Sequence, residues 1–118
     1  MLDYELYLKE IISMIEKIEN SVSGKTLNDF VNDADLFDAT LMRIHFIGEN
    51  IKSIPYSLKK SYKDIRWRKF ERLRNIIGHK YSHVNKNIIW DVVKVLSELK
   101  NQVKEILDSK ISYQDKNN

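Results

Sequence analysis

Apolar residues recur at steps of three and four along most of this chain, and that spacing fits only helices with one buried face. Tyr4, Leu8, Ile11, Ile15, Ile18 and Val22 mark the first face. Leu27, Phe30, Ala34, Phe37, Leu41, Ile44, Gly48 and Ile51 mark a second, which runs until Pro55 stops it. Trp67, Phe70, Leu73 and Ile77 define a shorter helix over residues 66–79. Ile89, Val92, Val93, Leu96, Leu99, Val103 and Ile106 define a last long one. No stretch alternates as a strand does, and three Gly, one Pro and no Cys leave few turn formers and no disulfides.

The local signals agree. Gly24 ends the first helix, and Thr26-x-x-Asp29 resembles a capping box that opens the second. Gly48 lies inside an apolar row that continues through it, which predicts a close helix–helix contact rather than a break. Tyr56 to Lys63 reads as a short helix or turn, and Asn85 and Asn87 are candidate N-caps for the last helix. The expected architecture is an all-α, up-and-down bundle of four to five helices forming a single domain over 1–118, with a frayed tail from about 109. At 118 residues such a domain buries about two thirds of the surface of its unfolded chain. The lack of Cys, of a long apolar run and of a basic leader predicts a soluble, cytoplasmic protein with no membrane partner.

Charge is uneven. The chain carries a net +3, yet residues 52–80 hold ten basic side chains against two acidic ones, a local excess of +8. Such a concentration suits an anionic partner, with RNA or a nucleotide foremost; a solvated basic helix is the plainer alternative. The segment ends in Arg74-Asn75-Ile76-Ile77-Gly78-His79-Lys80-Tyr81. An arginine that is always charged, a histidine that moves protons near neutral pH and a phenol are what chemistry on a phosphodiester requires.

Helical geometry constrains how they act. Arg68, Arg72, Asn75 and His79 fall on one polar stripe opposite the apolar face, so His79 is expected to be accessible. Asn75, four residues before His79, is placed to orient the imidazole. Arg74 is five residues before His79 and points about 140° away in an unbroken helix. Joint action needs a bend near Gly78 or a second copy of the chain across a symmetric interface. Tyr81 has three open roles: packing under the turn, orienting His79, or presenting its hydroxyl for modification. His79-x-x-x-His83 has metal-pair spacing but no evident third ligand, so no metal and no cofactor are expected. His45 reads as a boundary residue, and Trp67 and Trp90 as core or interface aromatics.

Arg74-Asn75-x-x-x-His79-x-Tyr81 resembles the R-x4-H-x-Y motif of the HEPN superfamily, in the form found in HepT-type toxins. Ile47-Gly48-Glu49, Ile65-Arg66-Trp67 and Ile89-Trp90 match further elements of that family, so the likeness covers nearly the whole chain. It implies a homodimeric helical bundle acting as a metal-independent ribonuclease toxin. Arg74 and His79 would be catalytic, Asn75 orienting, and Arg68, Arg72 and Lys80 contacts for the RNA backbone. It also implies a minimal nucleotidyltransferase as antitoxin, transferring AMP to Tyr81. The alternative is a non-catalytic nucleotide- or RNA-binding subunit that serves such a nucleotidyltransferase.

Overall fold

The computed structural model describes residues 3–117, with side chains placed for 4–109. Six α-helices follow one another: α1 (Asp3–Val22), α2 (Leu27–Val31), α3 (Ala34–Ser53), α4 (Tyr56–Ser61), α5 (Trp67–Lys80) and α6 (Lys86–Asn117). A 3-10 turn, Tyr81–His83, joins α5 to α6, and no strand occurs among the described residues. The all-α bundle is therefore as the periodicity predicted. The expected tail, about 109–118, falls almost entirely on residues whose side chains lie outside those described.

The second helix is the correction. The apolar row from Leu27 to Ile51 is carried by two helices, α2 and α3, separated at Asn32 and Asp33. Asn32 caps the end of α2, and the Asp33 carboxylate accepts from the Leu36 N–H at 3.0 Å to start α3. Short polar side chains that satisfy free backbone groups make such a break inexpensive. The break leaves Leu27 and Ala34 exposed, while Phe30 and Phe37 stay buried and meet edge-on at 5.7 Å. The capping box forms as read: Thr26 Oγ1 accepts from the Asp29 N–H, and the Asp29 carboxylate accepts from the Thr26 N–H.

α3 sits at the centre, packed against α1 on one side and α5 on the other, and α6 closes the bundle against α1. Leu8, Ile11, Ile15 and Ile18 of α1 face Leu41, Ile44, Ile47 and Ile51 of α3 in one continuous core, all fully buried. Phe70 and Ile77 bring α5 into it, and Ile89, Leu96, Val103 and Ile106 bring α6. Burial of each such side chain contributes about 1.5–3 kcal/mol. Ile54 is extended ahead of Pro55, which ends α3 and turns the chain into α4. Gly24, at φ 74°, makes the left-handed turn out of α1.

Candidate active site

The motif helix lies on α3 at a point where the two backbones nearly touch. A Cβ at Gly48 would stand 2.5 Å from the Arg74 Cβ and 2.7 Å from the Phe70 carbonyl oxygen. Only glycine admits α5 there, and the contact places the root of Arg74 directly over α3. Next door is Glu49, whose Oε1 accepts from Arg74 Nε at 2.6 Å. Arg74 Nη1 donates to Asn75 Oδ1 at 2.9 Å. The guanidinium is thus held by two of its N–H groups and keeps the others for an anion.

This hydrogen bond from Arg74 is the largest influence on the Glu49 carboxyl and holds it below the usual glutamate range against desolvation, with smaller help from the charges of Arg74, His45 and Lys52. His45 Nε2 approaches the same Oε1 at 3.4 Å, while its Nδ1 is buried without a partner. His45 is therefore a boundary residue with its outer nitrogen turned to the carboxylate that grips Arg74.

α5 remains helical through Gly78 to Lys80, so the chain does not bend there to bring Arg74 and His79 together. Arg68, Arg72, Asn75 and His79 are all exposed, as their stripe predicts, and so is Lys80. Asn75 bonds Arg74, and no hydrogen bond joins it to His79 among the described residues. The hydrogen bond it makes is with the guanidinium, not with the imidazole that its spacing predicted. His79 opens onto a shallow depression of about 610 Å³, shared with Gly78, Lys80 and the turn Tyr81–His83.

Tyr81 begins that turn, 49% exposed, and its hydroxyl donates to Asp38 Oδ1 of α3 at 2.6 Å. The hydrogen bond to the carboxylate, with smaller contributions from desolvation and its charge, raises the phenol above its ordinary value of 10.0. Of the three roles left open, packing beneath the turn is excluded by this exposure. His83 sits on the same turn with Nδ1 3.1 Å from Ser82 Oγ. No group of three His, Cys, Asp or Glu that could hold a metal occurs among the described residues.

Glu49 and Asp38 are the two residues that the motif did not reveal. Glu49 was visible only as part of Ile47-Gly48-Glu49, and Asp38 carried no signal, since its partner is 43 positions away. Trp67 and Trp90 are core-side aromatics as expected: Trp67 is buried, and Trp90 packs on Phe30 at 5.1 Å.

Known proteins supply the remaining comparison. The family described as "Ribonuclease HepT-like" matches residues 11–106. A Caldanaerobacter subterraneus protein named "Putative RNase" is 34% identical over 102 residues, covering 86% of this chain and 91% of its own. A Thermococcus cleftensis protein named "Probable ribonuclease HepT" is 33% identical over 88 residues, or 75% of this chain and 80% of its own. A Methanocaldococcus jannaschii protein named "Gamma-glutamylcyclotransferase and putative RNase" is 36% identical over 107 residues; these are 90% of this chain but span only 48% of that longer protein. No solved structure matches the chain significantly. Family match and relatives alike cover the motif helix and the bundle around it, and the chain belongs to the HepT-like ribonuclease family.

Proposed function

We propose that this protein is a metal-independent endoribonuclease toxin that works as a homodimer, with Arg74 and His79 as its catalytic pair. The observation that carries the reading is the division of labour on α5. Arg74 is clamped by Glu49 with N–H groups to spare, and His79 is exposed about 1.4 turns further on. His79 of one copy would take the proton from an RNA 2′-hydroxyl as that oxygen attacks the adjacent phosphorus. The bond to the 5′-oxygen breaks, and that oxygen takes a proton from the second copy's imidazolium. The products are a 2′,3′-cyclic phosphate and a 5′-hydroxyl. Arg74 would stabilise the charge on the nonbridging oxygens, so the scheme needs no metal. Arg68, Arg72 and Lys80 would hold the flanking backbone.

The unbent α5 supports the dimer, because one copy alone directs the two side chains about 140° apart. Met42 and Phe46, one turn apart on α3, add an apolar surface, 55% and 47% exposed, beside the motif helix. The cognate antitoxin in this reading is a minimal nucleotidyltransferase. The Tyr81 oxygen would attack the α-phosphorus of a nucleoside triphosphate held by it, releasing pyrophosphate and passing the phenol proton to Asp38. The added phosphate would repel RNA from Arg74 and His79. Co-expression with the nucleotidyltransferase should add the mass of AMP to the wild type and none to Tyr81→Phe; equal labelling of both would exclude Tyr81.

The direct test is incubation of the unmodified protein with RNA in excess EDTA, beside His79→Ala and Arg74→Ala. The expected result is fragments ending in 2′,3′-cyclic phosphates, lost in both variants while the helical content stays. Intact RNA from a folded, AMP-free wild type would instead make the protein a nucleotide-binding subunit.

A further inference from the structure

Between α4 and the first half of α5 lies an open groove of about 730 Å³ that shares no residue with the depression at His79. Its walls carry seven cations and a single acid, Glu71. Glu71 is matched by Lys59 at 3.0 Å. The other six have no carboxylate partner among the described residues: Lys60 is on α4, Lys63 and Arg66 are on the connection, and Arg68, Lys69 and Arg72 are on α5. Six unpaired cations spread along one open groove suit a linear polyanion better than a single bound ion.

Tyr56 stands at the edge of this groove, where α4 begins. At 76% it is the most exposed large apolar side chain among the described residues, and it belongs to neither the core nor its margin. Packing therefore does not account for it. A free aromatic face beside unpaired cations matches the two demands of a single strand of nucleic acid: a surface for a base to stack on and charge for the phosphates. A duplex keeps its bases stacked and offers no free base face to the ring.

We propose that the α4–α5 groove is a second RNA-binding site, in which a base stacks on Tyr56 while Lys60, Lys63 and Arg66 hold the adjoining phosphates. This rests on RNA being the substrate and adds to it a site remote from the bond that is cut. Arg68 and Arg72 line the groove and also begin the exposed stripe that ends at His79. From Arg68 to His79 the helix rises about 16 Å. A strand gripped at Tyr56 is thus led along one face of α5 to the imidazole.

The test is a fluorescence-anisotropy titration with a 2′-O-methyl dodecanucleotide, which binds but has no 2′-hydroxyl to react. Tyr56→Ala should weaken binding about tenfold through the lost stack, and Tyr56→Phe should not. Replacing Lys60 and Lys63 together by Ala should lower the slope of log affinity against log salt by about 1.4. Lys9→Ala, an exposed cation on α1, should leave that slope alone. Unchanged affinity in Tyr56→Ala, or a slope lost equally from Lys9→Ala, would overturn the groove as a site. Cleavage is read separately on unmodified RNA. Tyr56-dependent binding without any cutting would sink the ribonuclease and spare the groove; cutting with indifferent groove variants would do the reverse.

Discussion

Gly48 and Gly78 both lie where α3 and α5 face each other, yet they differ in what a methyl group would meet. At Gly48 it would press on the Phe70 carbonyl oxygen, a backbone atom that cannot swing aside. Gly48→Ala should therefore cost about 1–3 kcal/mol in urea unfolding and displace Arg74 with the helix. At Gly78 the nearest atom is His45 Cε1 at 3.5 Å, an ordinary contact, so Gly78→Ala should be neutral or stabilise by up to about 1 kcal/mol. The opposite order of the two effects would mean that α5 is seated elsewhere. Glu49 offers a test by pH. Its carboxyl is lowered in the folded protein, so its hold on Arg74 is complete above the ordinary value of 4.5 and is released as the pH falls through the lowered one. The Arg74 Nε–H signal in NMR should lose its protection in that acid window. Glu49→Gln should show no such step, at a stability cost below about 1 kcal/mol because the pair is partly exposed. The close contact at Gly48 was legible because the apolar row ran through it. Glu49's choice of Arg74 was not, since the two are 25 positions apart and only packing introduces them.

Among the elements, α1, α5 and α6 were readable from period and caps, α4 read as either a short helix or a turn, and the break between α2 and α3 was not legible. Phe30, Ala34 and Phe37 keep steps of four and three across it, so the apolar pattern hides the interruption. The signal was in the polar residues, as Asn32-Asp33 can end one helix and start the next. Asp33→Ala removes the acceptor for the Leu36 N–H and should cost about 1 kcal/mol. That corresponds to a fall of about 4 °C in Tm. An unchanged melting curve would show that α3 starts without this cap. The turn after α5 was better marked, since Asn85 accepts from the Asn87 and Ile88 N–H groups and starts α6 as one of its two candidates.

At the scale of the whole molecule, the site is a question of how many chains build it. A single sequence shows that Arg74 and His79 diverge; it does not show what stands opposite them. Mixing settles this. Wild-type protein refolded with an excess of His79→Ala protein should lose cleavage as the square of the wild-type fraction, because a mixed dimer holds one imidazole where the reaction uses two. If a single chain carries out the reaction alone, cleavage falls only in proportion to that fraction. Native mass spectrometry of the same samples establishes that mixed dimers form.

The bond from Tyr81 to Asp38 spans 43 positions and fastens the start of the linker before α6 to the middle of the bundle. One oxygen cannot serve as fastener and as point of attachment at the same moment. Any group that comes to reside on it takes the place of the proton that made the tether, and leaves a carboxylate with nothing to hold. Derivatised protein should accordingly exchange its amide hydrogens at Tyr81–His83 faster than untouched protein does. The chain would then carry a durable record of the event, readable at a distance from the added group itself.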